Sequence, residues 1–195
     1  LHSTTMTATE GRGLERYREH LAEPVDGSSL AVFRVGFGLI AAWAAVRFVM
    51  MGWVDELLVE PTFHFAWIQG LPIAPRWALY LLFALKATAG LAIALGRLTR
   101  LALSVWLLCF VYVELLDKAL YLNHYVLFTL LGLWLFATPA GHARTTPSSH
   151  VPRWTLLLFR VQVISVYFWA GCAKINSDWL LRAEPMHTWL LARVD

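Results

Sequence analysis

The stretch from residue 101 to residue 137 decides the fold, and it reads LALSVWLLCFVYVELLDKALYLNHYVLFTLLGLWLFA. It is mostly apolar and contains neither Gly nor Pro before Gly132. As one helix it would be roughly 55 Å long at about 1.5 Å per residue, nearly twice the roughly 30 Å of a bilayer core. The stretch therefore predicts two membrane helices, 101–116 and 121–137, joined by a turn near residues 117–123.

The composition of the whole chain also indicates a membrane protein. Of its 195 residues, 58% are hydrophobic and 15% are charged, whereas soluble domains average about 45–50% and about 25%. This apolar content excludes a disordered chain. Two cysteines, Cys109 and Cys172, exclude a disulfide scaffold, and both lie in apolar runs where they are expected to pack as small hydrophobic residues. A net charge of +3 is too small to indicate nucleic-acid binding.

Three further apolar segments are long enough to cross a bilayer, which takes about 20 residues. They span residues 29–51, 77–95 and 154–173. The sequence thus predicts an all-α, multi-pass transmembrane helical bundle of about five spans. Residues 1–28 form a polar N-terminal segment, residues 29–195 form the membrane domain, and the Gly-, Pro-, Ser- and Thr-rich residues 138–152 are expected to form a loop.

The distribution of basic residues predicts the orientation in the membrane. Lys and Arg are enriched in cytoplasmic segments. With the N-terminus inside, seven basic residues lie on the inner side and six on the outer side. This small bias favours a cytoplasmic N-terminal segment, and it places the 117–123 turn on the outer, periplasmic or luminal side.

The predicted turn carries a cluster of polar residues. If the helix continued through it, Glu114, Asp117, Lys118 and Tyr121 would share one face. Ionisable residues at membrane depth are costly and are usually functional or paired. In a poorly hydrated pocket, Lys118 would be a neutral amine able to act as a general base. Alternatively, Lys118 extends to the interface or neutralises Asp117 or Glu114.

Neighbouring polar residues have similar alternatives. His124 could hold a substrate oxygen or shuttle a proton, or it could hydrogen-bond within the turn. Asn123 could donate to an oxyanion or simply form the turn. His64 lies in the aromatic stretch FHFAW (63–67), which reads as an interfacial belt or as one wall of a ring-binding pocket.

Two groups of polar residues occur in or beside the other spans. Arg34 and Arg160 lie within predicted spans and are expected to pair with neighbouring helices. Near the end of the last span lie Tyr167, Lys174, Asp178 and Trp179, as interfacial anchors and a surface pair or as part of a site. No HxxH, HExxH or CxxC pair occurs, so no metal site is predicted.

Three segments resemble the vitamin K-dependent gamma-carboxylase family and its bacterial relatives, often called horizontally transferred transmembrane domain (HTTM) proteins. They are ELLDKALYLNHY (114–125), YFWAGCAKINSDWL (167–180) and LAVFR (30–34). The first is the most specific, and the three occur in the family's order. The resemblance covers residues 28–190.

The resemblance implies an enzyme that binds reduced vitamin K in a membrane pocket and oxygenates it with O2. It implies that Lys118 deprotonates the hydroquinone, that the oxygenated product removes a γ-proton from a protein glutamate, and that CO2 then adds. The expected partners are the lipid bilayer, the quinone and a glutamate-containing peptide, with no metal. The implied pocket residues are His64, Asp117, Asn123, His124, Tyr167, Lys174, Asp178 and Trp179.

The family's carboxylases continue well beyond the matched region, with further membrane segments and a large C-terminal region. This sequence ends at Asp195, so we expect a part of a longer enzyme. An alternative is a non-catalytic membrane module that binds a quinone or lipid. A transporter subunit is disfavoured, because the sequence has neither internal repeats nor paired helices broken by Gly or Pro.

Overall fold

The computed structural model describes residues 13, 15–143, 149–184 and 186–193. Its contacts divide the chain into two compact units, residues 1–155 and 156–195. In the first unit, successive helices pack against each other in antiparallel order. They are α1 (Ser28–Met50), α2 (Arg76–Leu95), α3 (Thr99–Leu116) and α4 (Asn123–Ala137). A short helical stretch at 15–22 precedes them. Helix α5 (Arg153–Ala173) begins at the end of the first unit.

The helices confirm an all-α, multi-pass membrane protein. Four of them are long and apolar enough to cross a membrane in the described part of the chain: Ser28–Met50, Arg76–Leu95, Thr99–Leu116 and Arg153–Ala173. The other predicted span, α4, has 15 residues and is therefore only about 22 Å long. It starts two residues later than predicted because Leu122 is extended, with φ −129° and ψ 137°.

A short sheet joins the polar N-terminal segment to the end of the predicted loop. Strand β1 (Pro24–Asp26) pairs antiparallel with β2 (His150–Pro152), and Val25 faces Val151. The adjoining Arg153 forms an ion pair of 2.5 Å with Glu23. The predicted loop 138–152 therefore ends in a strand, because a distant segment completes its hydrogen bonds. Its central residues, 144–148, lie outside the described residues.

Helices α1 and α2 approach closely at two glycines. A Cβ atom on Gly38 would lie 2.5 Å from the backbone nitrogen of Ala94 and from the carbonyl oxygen of Gly90. A Cβ on Gly90 would lie 2.6 Å from the nitrogen of Ala42. Small residues let membrane helices pack backbone against backbone. Because the hydrophobic effect does not drive helices together within lipid, the van der Waals contacts of this packing stabilise their association.

Arg34 connects α1 to the end of α2. The side chain is buried, and its Nη1 donates to the carbonyl oxygens of Ile93 at 2.7 Å and Ala94 at 3.2 Å. These carbonyls belong to the last turn of α2, where a cation is favoured by the helix dipole. Gly96 caps this turn with φ +69°, and a side chain there would strike the Arg34 guanidinium.

Candidate functional site

A cavity of about 510 Å³ lies within the first unit, among helices α1 to α4. This volume falls in the range of small-molecule sites, about 300–1,000 Å³. We call it the aromatic cavity, because ring side chains make up much of its wall. Its aromatic residues are Phe48, Trp53, Phe83, Trp106, Phe110, Tyr125 and Phe128.

The antiparallel order of the helices places this cavity beside the predicted turn. Helices α1 and α3 end where α2 and α4 begin, so the cavity wall also includes residues of the α3–α4 connection. Ala119, Leu120 and Leu122 of that connection line it. The turn that carries the most specific sequence motif therefore borders the aromatic cavity.

The rings of the wall are held by one another. Phe48 and Phe83 stack with their centroids 4.7 Å apart, and Trp106 and Phe110 stack at the same distance. Phe110 also meets Tyr125 edge to face, at 5.8 Å. Aromatic pairs in these arrangements are favourable beyond their buried area. The result is a preformed wall of flat faces that suits an aromatic ligand.

Lys86 brings a charge into this wall, and the sequence analysis did not single it out. It lies in the middle of α2 with only 7% of its surface exposed. Its Nζ lies 4.7 Å from the ring centroid of Phe83 and 4.9 Å from that of Phe110. It makes no hydrogen bond or ion pair to a described residue. The available signal was a lone cation inside an apolar span, which is a functional candidate by default.

Glu114, from the last turn of α3, lines the same cavity. Its Oε2 is buried and has no hydrogen-bond partner within the described residues. The pairing with Lys118 that a continuous helix would give is not formed, because α3 ends at Leu116 and Asp117 is extended. The carboxylate instead interacts electrostatically with Lys86, which lines the same cavity.

Two more polar side chains, Arg47 and His124, complete the lining. Arg47 comes from the end of α1, and its guanidinium lies 4.7 Å above the ring of Trp53. His124 is in the first turn of α4, and its ring contacts Tyr125. The aromatic cavity thus holds three basic side chains, counting the imidazole, against one carboxylate. This balance favours a ligand that carries oxygen acceptors or a negative charge.

Lys118, the base implied by the resemblance, lies just beside the cavity but does not line it. The residue is exposed, and its Nζ lies 5.2 Å from the ring centroid of Trp67. The extended backbone at Asp117 turns the chain before Lys118, which begins the short 3-10 turn Lys118–Leu120. The side chain of Lys118 therefore faces away while Ala119 and Leu120 face the cavity.

Asp117 and His64 form a second polar group beside the turn. Nδ1 of His64 lies 3.3 Å from Oδ2 of Asp117, and both side chains are largely buried. Neither ring nitrogen of His64 has a hydrogen bond of good geometry to a described residue. The other carboxylate oxygen of Asp117 accepts from the backbone N–H of Ala119 at 2.8 Å. These two residues fasten the turn and are not among the cavity-lining residues.

Backbone hydrogen bonds hold the aromatic stretch of residues 63–67 against this turn. The N–H of Lys118 donates to the carbonyl of Phe65 at 2.8 Å, and that of Trp67 donates to Leu115 at 3.1 Å. Asn123, the first residue of α4, is exposed and also lies outside the cavity lining. Of the implied pocket residues in the first unit, the structure therefore brings only His124 to the cavity.

The second unit contains the other implied residues and is described separately. It holds most of α5, followed by α6 (Ser177–Leu180) and α7 (Met186–Leu191). Nζ of Lys174 lies 5.0 Å from the ring centroid of Trp179. Asp178 pairs with Arg182 at 3.4 Å rather than with Lys174, in the favoured order of acid before base four residues apart. Tyr167 and Arg160 are exposed within this unit.

No group of three or more His, Cys, Asp and Glu side chains that could hold a metal ion occurs in the residues that the structure describes. Both cysteines are free and partly buried.

Comparison with known protein families assigns the chain to one of them. No solved structure matches it. A family model, the HTTM domain, matches residues 22–195, which is nearly the whole sequence. This domain is found in vitamin K-dependent gamma-carboxylase and in related bacterial proteins. Together with the spanning helices and the motif-bearing turn, this match shows that the chain belongs to the HTTM domain family, as an integral membrane protein.

Proposed function

We propose that the aromatic cavity binds reduced vitamin K or a similar naphthohydroquinone, and that the chain takes part in oxygen-dependent glutamate carboxylation. The observation that carries the proposal is a cavity of about 510 Å³, walled by aromatic rings and bordered by the ELLDK turn. Family membership supports the same class of activity.

The residues of the cavity fit such a ligand. Its bicyclic ring would lie against the faces of Phe83, Trp106 and Phe110, while the apolar tail extends toward lipid. The ring oxygens would meet the polar groups of the lining, which are Arg47, Lys86, Glu114 and His124. When bound, reduced vitamin K supplies, on reaction with O2, the basic strength needed to take a γ-proton from glutamate before CO2 adds.

Lys118 is the proton acceptor in this proposal, as the resemblance implies. Lys118 directly follows Asp117, which links α3 to the short 3-10 turn. The next two residues, Ala119 and Leu120, line the cavity. To reach a ligand hydroxyl, its flexible side chain has to leave the face of Trp67. The aromatic wall would keep water from the reacting groups, which protects a strong base from quenching.

The proposal includes an orientation. With the N-terminus in the cytoplasm, the ends of α1 and α3 and the turn between α3 and α4 face the periplasm or lumen. A glutamate-containing peptide would then approach the cavity from the outer side. To report this side, a cysteine is introduced at exposed Leu122 in a variant in which Cys109 and Cys172 are replaced by alanine, and it is labelled with an impermeant maleimide. Labelling only after the membrane is opened contradicts the proposed orientation.

The deciding experiment measures O2 uptake and epoxide formation by the purified protein in lipid nanodiscs. Reduced vitamin K is added with and without a glutamate-containing peptide, and Lys118→Ala is compared with the wild type. We expect the wild type to form epoxide. We expect Lys118→Ala to bind the hydroquinone but to form no epoxide. Wild-type turnover by Lys118→Ala excludes Lys118 as the base.

A second candidate function is a non-catalytic module that binds a quinone or a lipid. The exposed position of Lys118 on Trp67, outside the cavity lining, favours it. In the same assay this candidate predicts binding of the naphthoquinone without O2 uptake. Failure to bind any naphthoquinone contradicts the carboxylase proposal and the quinone-binding form of this second candidate.

A further inference from the structure

Lys86 and Glu114 are two polar groups inside the aromatic cavity that interact electrostatically, but neither side chain has a hydrogen bond or a close ion pair within the described residues. They come from neighbouring helices, α2 and α3, and both line the cavity. Lys86 is 7% exposed and contacts ring faces in place of polar atoms. Oε2 of Glu114 is buried with no hydrogen bond within the described residues. Buried polar groups are nearly always hydrogen-bonded, so Oε2 of Glu114, with Lys86 beside the same cavity, is available to hydrogen-bond a ligand.

The couple offers a specific hydrogen-bonding pattern. A carboxylate only accepts hydrogen bonds and an ammonium only donates them. If the proton passes from Lys86 to Glu114, the acid donates and the amine accepts, so the couple still presents one donor and one acceptor. A phenolic hydroxyl both donates and accepts and therefore satisfies both groups. A quinone carbonyl only accepts, and it leaves one of the two groups without a partner.

We infer that Lys86 and Glu114 determine the oxidation state of the ligand that the cavity holds, by favouring the hydroquinone over the quinone. This inference rests on the proposed function, because it presupposes a naphthoquinone ligand. It adds Lys86 and Glu114 as specificity-determining residues to the Lys118 and Asp117 that the resemblance implies. Leaving a buried polar group unpaired weakens binding by about tenfold or more, which sets the expected preference.

The test measures the dissociation constants of 2-methyl-1,4-naphthohydroquinone and of the matching quinone, under nitrogen. It uses the full chain in lipid nanodiscs, with quenching of tryptophan fluorescence as the signal. The wild type is expected to bind the reduced form at least about tenfold more tightly. Glu114→Gln is expected to bring the ratio close to one, because the amide N–H can donate to a quinone carbonyl.

The matched control is Glu60→Gln, which makes the same change at an exposed residue outside the cavity. It should keep the wild-type ratio. Equal affinity of the wild type for both forms overturns the inference without any need for a variant, and it leaves the proposed binding function standing. An unchanged ratio in a folded Glu114→Gln also overturns it. Absence of binding by either form removes the proposed function and this inference together.

Discussion

Nη1 of Arg34 donates to the carbonyl oxygen of Ile93 at 2.7 Å. A cation buried in the first membrane helix thus hydrogen-bonds a backbone carbonyl in the last turn of the second. The same atom reaches the carbonyl of Ala94 at 3.2 Å. In a bilayer, such carbonyls have no water to replace a lost donor. The arginine therefore serves the packing of α1 on α2, away from the aromatic cavity.

Replacement of Arg34 by Met should destabilise the protein by about 1–3 kcal/mol, because two carbonyls lose a charged donor. The measurement is thermal or denaturant unfolding in a mild detergent. Arg97→Met is the control, since Arg97 lies just after the end of α2 and is exposed. Equal stability of Arg34→Met and the wild type would contradict a role for this hydrogen bond.

Gly38 and Gly36 offer a matched pair on α1. A Cβ on Gly38 would collide with the backbone of α2, whereas a Cβ on Gly36 would meet nothing within 4 Å. Gly38→Ala should therefore lower the stability and loosen the α1–α2 contact, although alanine is the better helix former. Gly36→Ala should be neutral or gain up to about 1 kcal/mol from helix propensity. Similar effects of the two changes on unfolding would refute this packing.

Filling the aromatic cavity should block ligand binding. Ala44 lines it from α1, and tryptophan there would occupy the space beside Phe48 and Trp53. We expect Ala44→Trp to weaken naphthohydroquinone binding by at least about tenfold, by simple steric exclusion. Val46→Trp places the same side chain on an exposed position of α1 outside the lining and should bind normally. Undiminished binding by Ala44→Trp would place the ligand elsewhere.

The connection between α1 and α2 should respond to acid through Asp55. Oδ2 of Asp55 accepts from Arg76 at 2.7 Å and from the hydroxyl of Tyr80 at 2.8 Å. These hydrogen bonds, the one from Arg76 first, hold the pKa of the Asp55 carboxyl below its ordinary value. The folded state therefore gains stability above the ordinary pKa of about 3.9, and loses that gain as the pH falls through the lowered pKa.

The measurement for Asp55 is the melting temperature between about pH 7 and pH 3. Asp55→Asn should be less stable than the wild type at neutral pH and should lose less stability on acidification. Glu60→Gln, with an exposed carboxyl in the same connection, should follow the wild-type curve. A parallel pH dependence of Asp55→Asn and the wild type would show that this carboxyl does not contribute.

The sequence by itself determined the membrane class, the approximate spans and the hairpin at residues 117–123. These follow from local properties, because apolar runs must satisfy their backbone hydrogen bonds within a helix and a bilayer limits the length of each helix. The sequence also contains small residues such as Gly38 and Gly90 in α1 and α2, but it does not indicate which helices pack together at them. The family resemblance rested on contiguous motifs in the same way.

Only the tertiary structure decided which polar groups share a site. The direction of a side chain beyond a helix end depends on a few backbone angles, and the extended Asp117 sends Lys118 onto Trp67 while Glu114 stays in the aromatic cavity. Lys86 and Glu114 line the same cavity because α2 and α3 pack with particular faces together, and no local sequence pattern predicts which faces those are. The strand pairing of Val25 with Val151 depends likewise on residues far apart in the chain.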